Sequence, residues 1–312
     1  MAALGRWTKR IGLALLCLVL LLTIASWSYE AATNGDVKPA SALYPGPFLR
    51  VDGTSVAFRR WGRAGSPVVL LGGFVEPSYV WQRTGAALGR THRVFALDLP
   101  PFGYSERNGR YRLRDWVELV RAFDRRLNLD RPVLVGHSLG AAVATGYALS
   151  YPRELGGIVL LDGDALSART VPSWVTSLLV DPYFTSLYRL LTRSEWVVRR
   201  GLRTALGPVH PPLDHTFLRE WQRPFLVKGS AAAFRKLIGY GIQGFRLADL
   251  RGIRTRALVV WGADDHVDEV AAGRRSARGL GASFVVLPRA GHLSMLSDPV
   301  QLARTLDVFL RH

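Results

Sequence analysis

Val133-Leu134-Val135-Gly136-His137-Ser138-Leu139-Gly140-Ala141-Ala142 changes character in its middle. An apolar run rich in β-branched residues breaks into Gly-x-Ser-x-Gly, and a segment rich in alanine follows (Ala141, Ala142, Ala144, Ala148). The pattern predicts a buried strand, a sharp turn and a helix. A serine on such a turn is held in a strained backbone conformation, tolerated where its flanking residues carry little side chain. Gly136 and Gly140 supply that room. The turn lifts the Ser138 hydroxyl above the sheet edge, and the Leu139 N–H, opening the helix, faces any oxyanion formed there.

On both sides of this centre the chain alternates strand and helix. Upstream, Phe48 to Val51 and Ser55 to Trp61 read as short strands joined by Asp52-Gly53, a hairpin signal. Val68 to Leu71 is a buried strand ending in Gly72-Gly73-Phe74, and Arg93 to Leu97 is the next. Leu113 to Leu127 has helical spacing. Downstream, Gly157 to Leu161, Arg256 to Trp261 and Ala282 to Leu287 are further strands, and Val300 to Leu310 closes as an amphipathic helix. Val-, Ile- and Leu-rich strands alternating with helices predict an α/β fold: a mostly parallel eight-stranded sheet covered by helices on both faces. The alternation stops between 165 and 250, a stretch broken by Pro172, Pro182, Pro208, Pro211, Pro212 and Pro224 and rich in aromatics. This predicts a helical lid inserted after the sixth strand, its rings forming mainly its own core, with some free to line an apolar pocket.

Expected divisions are therefore 1–28, an N-terminal signal anchor or signal peptide; 29–47, a linker; 48–164 and 251–312, the two parts of the core; and 165–250, the lid. In the first of these, Arg6, Lys9 and Arg10 precede an apolar run from Ile11 to Trp27, about 25 Å long as a helix. That is long for a signal peptide, whose apolar region spans about 7–15 residues, and Thr23-Ile24-Ala25 and Ser26-Trp27-Ser28 are weak cleavage sites. A membrane anchor is favoured, with the positive residues inside and the remainder extracytoplasmic; secretion after cleavage is the alternative.

The formal charge is +17, and all but Lys9, Lys38, Lys228 and Lys236 of the 41 basic residues are arginine. They are spread along the chain rather than gathered in a basic stripe, so nucleic acid is not the expected partner. The single cysteine, Cys17, lies in the apolar run. The rest of the chain therefore offers no disulfide, thiol nucleophile or cysteine metal site.

A serine hydroxyl needs a base to take its proton, and the base needs a third group to hold its tautomer. In a parallel sheet the carboxyl ends of the strands share one edge, where Ser138 can meet Asp264-Asp265-His266 and Gly291-His292. His292 is the expected base. His266 is its rival, ahead of His92, His137 (read as bent away by the turn), His210, His215 and His312. Asp265 is the expected acid, against Asp264, Asp162 and Asp164.

Taken together, the elbow at Ser138, the Gly262-x-x-Asp265-x-Val267 loop and Gly291-His292, in the order Ser, Asp, His, resemble the lid-bearing serine hydrolases of the α/β-hydrolase superfamily from about Phe48 to the end. The resemblance implies a Ser138–His292–Asp265 triad acting on a carboxylic ester or related acyl bond of a small molecule. It also implies an oxyanion hole from the N–H groups of Phe74 and Leu139, and neither metal nor organic cofactor. Members that use an aspartate at the elbow, dehalogenases and epoxide hydrolases, are set aside by Ser138. Acyl transfer and a non-catalytic membrane-surface binding module are the alternatives. Two positions depart from the family pattern: Gly72 stands where His-Gly-x has its histidine, so the oxyanion loop must be held differently, and Pro101 replaces a glycine in the Asp98 to Ser105 loop, read as structural.

Overall fold

The computed structural model describes residues 2–168 and 170–311. Eight strands, β1 (Phe48–Val51), β2 (Thr54–Trp61), β3 (Pro67–Leu71), β4 (Arg93–Leu97), β5 (Val133–His137), β6 (Gly157–Leu161), β7 (Ala257–Gly262) and β8 (Ser283–Leu287), form one sheet in the order β1-β2-β4-β3-β5-β6-β7-β8. β1 and β2 pair antiparallel through the predicted Asp52-Gly53 turn, and β2 pairs antiparallel with β4. The remaining pairs are parallel. The chain order reverses at β3 and β5, and β5 carries the serine turn at its carboxyl end.

Fourteen helices accompany the sheet among the described residues: α1 (Ala2–Thr33), α2 (Ala40–Leu43), α3 (Gln82–Leu88), α4 (Leu113–Arg126), α5 (Leu139–Ser150), α6 (Ser173–Ser177), α7 (Tyr183–Arg193), α8 (Glu195–Ala205), α9 (His215–Gln222), α10 (Ser230–Tyr240), α11 (Leu247–Arg251), α12 (Val270–Leu280), α13 (Ser294–Ser297) and α14 (Pro299–Leu310). Alternate strand residues feed two separate cores, as the two-residue period of a strand requires. Val69, Leu71, Leu134, Leu160 and Val259 meet α4 and α5 through Trp116, Phe123 and Tyr147. Val68, Leu70, Val135, Val159 and Val260 meet α3 and α14 through Leu88, Leu302 and Leu306.

The lid comprises α6 to α11, between β6 and β7. It is not a separate globule: Leu202, Phe217 and Trp221 extend one core, and Ala233 and Leu237 the other. Its aromatics pack mainly on one another, with Tyr188 against Phe184, Phe225 and Phe234, and Phe217 against Trp221.

The segment 29–47, expected as a linker, is packed. α1 runs unbroken to Thr33, α2 follows, and Lys38 pairs with Val227 of the lid. Tyr44 explains the docking: its hydroxyl donates to the Phe58 carbonyl at 2.5 Å, and its ring stacks on Tyr104 with centroids 4.8 Å apart. Apolar periodicity cannot reveal a segment held by one long side chain. Truncation of a buried ring costs about 3–5 kcal/mol. Tyr44→Ala is accordingly expected to lower the free energy of unfolding, measured by chemical denaturation, by that amount and to open 29–47 to limited proteolysis, whereas Tyr44→Phe, which loses one hydrogen bond, costs about 1 kcal/mol.

Candidate active site

Ser138 sits between β5 and α5 with φ 50° and ψ −114°, in the positive-φ region that a residue with a side chain avoids. The turn is tight enough that a Cβ on Gly136 would lie 2.1 Å from the Gly140 carbonyl oxygen. Ser138 and Leu139 face an apolar cavity of about 270 Å³, together with Phe74, Ala142, Leu237, Ile238 and Ile242. The lid contributes aliphatic side chains here, not the aromatics the sequence left free to line a pocket.

The loops after β7 and β8 bring Asp265 and His292 together. His292 Nδ1 lies 2.9 Å from Asp265 Oδ2, with both residues buried. Asp265 Oδ1 accepts from the backbone N–H of Val267 and Asp268, at 2.8 and 3.0 Å. Both carboxylate oxygens are thus committed, and the side chain has one orientation. Donation of Nδ1–H to Asp265 leaves Nε2 as the basic nitrogen of His292.

The rival residues lie elsewhere. His266 is exposed, His92 binds Asp307 at 2.9 Å, and His215 pairs with Glu195. Exposed His210 bonds the Pro211 carbonyl, and His312 lies outside the described residues. Asp164 caps its own turn by accepting from Leu166 N and Ser167 N. Asp264 is engaged through its backbone N–H, to the Ala290 carbonyl. Asp162 is fully buried and accepts from Gly262 N at 2.7 Å and Ser294 N at 3.3 Å, bracing the acid and base loops.

Glu76 and His137 escape a reading of the sequence. His137 turns into the interior. It is completely buried, with Nδ1 2.8 Å from Glu76 Oε2 and Nε2 2.7 Å from the His292 carbonyl oxygen. A carbonyl only accepts, so Nε2 is protonated. Glu76 Oε2 also accepts the Gly73 N–H at 2.7 Å, which marks it as an ionised acceptor taking Nδ1–H as well. The pair is therefore imidazolium and carboxylate. Burial alone would push the imidazole down, but the Glu76 carboxylate outweighs it, with Asp162 4.0 Å from Nε2 adding to the effect, and His137 rises to about 9. Burial in turn pushes Asp162 up to about 7, against the opposing pull of His137 and His292.

This pair holds the loop that lacks the family's histidine. Gly73 precedes Phe74, and Glu76 fastens Gly73 from below. The approach to the serine is close: a Cβ on Gly73 would lie 2.9 Å from Ser138 Cβ. The signal that could have found the pair is two unabsorbed ionisable residues beside the motif, one four residues beyond Gly72 and one immediately before Ser138. Among the described residues no cluster of His, Cys, Asp and Glu is arranged to hold a metal ion.

Comparison with known proteins agrees with the fold. A family profile described as "alpha/beta hydrolase fold" matches residues 66–299. The chain is 26% identical over 277 residues to the uncharacterized hydrolase YugF of Bacillus subtilis, covering 86% of this chain and 99% of that protein. It is 28% identical over 297 residues to a 2-hydroxy-6-oxononadienedioate/2-hydroxy-6-oxononatrienedioate hydrolase of Paraburkholderia phymatum, covering 90% and 96%. Among solved structures it resembles a bacterial membrane phospholipase A, with a TM-score of 0.69 at 22% identity and 98% of each chain covered.

Loss of one partner from a buried ion pair costs about 3–5 kcal/mol. Glu76→Ala is expected to destabilise the fold by that amount in chemical denaturation. An imidazole whose pKa rises from 6.5 to about 9 on folding contributes its full stability below 6.5 and loses it as pH rises through about 9. The melting temperature is therefore expected to fall across that alkaline window, and His137→Gln to flatten the fall.

Proposed function

The chain belongs to the alpha/beta hydrolase fold family, and from that premise we propose that it is a serine hydrolase cleaving a carboxylic ester or related acyl bond through an acyl-enzyme. Hydrolase relatives covering nearly the whole chain support hydrolysis as the reaction class. The observation that carries the finer reading is a positive-φ serine on the wall of an apolar cavity, with an Asp265-oriented His292 presented from the same edge of the sheet.

In this mechanism Ser138 Oγ attacks the carbonyl carbon while His292 Nε2 takes its proton. Asp265 fixes the tautomer and offsets the imidazolium charge. The developing oxyanion is held by the N–H groups of Phe74 and Leu139. Collapse of the tetrahedral species expels the alcohol, which leaves with the proton from His292. Water, deprotonated by the same nitrogen, then attacks the acyl-enzyme and releases the acid. The cavity lining, Ala142, Leu237, Ile238 and Ile242 with Val171 at its rim, suits an acyl chain.

The reading extends to location. The span Lys9–Asp36 contains an 18-residue window of mean hydropathy 2.3 and is long and apolar enough to cross a membrane. With Arg6, Lys9 and Arg10 in its first turns, ahead of the apolar run, α1 serves as an anchor that leaves the folded part extracytoplasmic.

Two measurements test these readings. A fluorophosphonate probe is expected to label the purified full-length chain and to fail on Ser138→Ala and His292→Ala, with Asp265→Asn slowed about 10³–10⁴-fold. Folded wild-type protein that takes no label overturns the catalytic assignment. For the anchor, full-length protein is expected to stay in the membrane pellet through alkaline carbonate extraction; recovery as a soluble chain lacking the first 28 or so residues would mean signal-peptide cleavage instead.

A further inference from the structure

We propose that the end of the lid formed by α6 and residues 178–180 is immersed in the same membrane that α1 crosses, so that the cavity at Ser138 receives its acyl substrate from the bilayer and not from water. The proposal rests on the anchor and ester readings above.

The first support is the register of α7 on α1. Tyr183 OH lies 2.6 Å from Thr23 Oγ1, and the Ser186 hydroxyl donates to the Ser26 carbonyl at 3.0 Å. Arg189 Nη1 donates to the Glu30 carbonyl at 2.8 Å, and an Nη of Arg193 to the Thr33 carbonyl at 3.0 Å. The sequence separation in these four contacts is 160, 160, 159 and 160. Two helices in contact at constant separation run parallel, with equal rise per residue. The depth of each α7 residue along the membrane normal is therefore that of the α1 residue 160 positions before it. Arg193 and Tyr183 sit at the levels of Thr33 and Thr23.

Thr23 lies four residues inside the Trp27 end of the apolar run, so Tyr183 lies about 6 Å below the point where that run ends. The chain before α7 continues in the same direction, since Phe184 N donates to the Val180 carbonyl and Ser186 N to that of Pro182. Here the surface turns apolar. Trp174 and Leu178 are each 67% exposed and Val180 is 48% exposed. Leu187, at the level of Trp27, is also exposed. A cluster of large apolar side chains in water has no stabilising partner; at this depth the lipid supplies one. Asp181, the acid in this stretch, is neutralised by Arg235.

The second support is the position of the cavity mouth. The cavity runs from buried Leu139, Ala142 and Leu237 to exposed Thr170 and Val171. Val171 lies two residues before α6, so the rim adjoins the immersed segment. α6 packs against α10, whose Leu237 and Ile238 line the interior. An acyl chain leaving the bilayer would pass from lipid to an apolar wall without crossing water.

An internal control is built into the fold. Trp196 is 71% exposed, as bare as Trp174, but begins α8 just after Arg193, beyond the Trp27 end of the run. Spin labels can be placed at native Cys17 and, in a Cys17→Ser background, at Trp174→Cys and Trp196→Cys. The full chain is then reconstituted in nanodiscs of equal parts phosphatidylcholine and phosphatidylglycerol. Labels at 17 and 174 are expected to be accessible to oxygen and shielded from a water-soluble nickel chelate, with the reverse at 196. If 17 is immersed but 174 meets the chelate, the anchor stands and the proposal fails. If both meet the chelate, the anchor reading fails with it. Shielding of 174 from both reagents means coverage by protein, such as a second copy of this chain, and also overturns the proposal.

The functional arm uses Trp174→Asp/Leu178→Asp, which touches neither triad nor cavity wall. Its turnover of an ester embedded in vesicles is expected to fall at least about tenfold, with turnover of a soluble short-chain ester unchanged. Equal loss on both substrates overturns the proposal. Wild type inert towards both esters would count against the ester reading, and the label depths would still decide the placement of the lid.

Discussion

A charged imidazole in a dry interior is costly, and the active-site edge of this protein is arranged around one. His137 ends β5, directly before Ser138, and is fully buried. Its two N–H groups reach two loops at the same edge: Glu76 beneath the Gly73–Phe74 turn, and the backbone carbonyl of His292. Removing the charge would leave a carboxylate unpaired; removing the carboxylate would leave an imidazolium unpaired. Neither residue can change alone without loosening both loops. Ser138, the candidate oxyanion donor and the candidate base are thus referenced to one ring at the end of β5.

The sheet, the serine turn and the loops that carry Asp265 and His292 were legible because each is a local signal. Buried parallel strands are continuous apolar runs, a strained serine needs small neighbours, and a loop after a parallel strand opens on the functional edge. Glu76 was not legible, since Glu76-Pro77-Ser78 reads as an ordinary turn and its partner is 61 residues away. The partners of His137 were hidden for the same reason. A side chain next to a sharp turn points away from the serine, but the direction it takes instead is decided by packing. The 29–47 segment failed differently. It carries no periodic pattern, and its attachment depends on Tyr44, Lys38 and the far end of α1, which find partners in β2, the lid and α7.

The lid is fastened to the core by a second, half-buried cation. Arg107 donates to the carbonyls of Ser105, Gly103 and Phe102 on the core side and to Pro224 O and Ser230 Oγ on the lid side. It meets carbonyl and hydroxyl oxygens and no carboxylate in these bonds, and burial pulls it down to about 10. An arginine suits this use because its fork has five donors to distribute. The loop it grips is itself rigid: Asp98 accepts from Ser78 N and Tyr104 N, and Ser105 bridges the Asp98 carbonyl and Ala57 N. The structural role read for the Asp98 to Ser105 stretch, Pro101 included, fits these bonds. This fastening lies on the α9–α10 side of the lid, whereas α6, beside the cavity mouth, has no buried residue.

The conformation of Ser138 is maintained by crowding more than by hydrogen bonds. Four glycines approach its turn: Gly136 and Gly140 within it, Gly73 against its side chain, and Gly163 against its backbone, where a Cβ would lie 2.7 Å from Ser138 Cα. None of the four has a positive φ, so each is required for space and not for backbone freedom. Relaxing the serine to an ordinary φ would demand movement of the turn into β3, of which Leu71 O already lies 2.6 Å from where a Gly140 Cβ would be, or into the end of β6. Strain of order 1–3 kcal/mol persists only where the surroundings forbid its release. Here the ends of three neighbouring strands forbid it, which is why the sheet order, with β5 between β3 and β6, is itself part of the site.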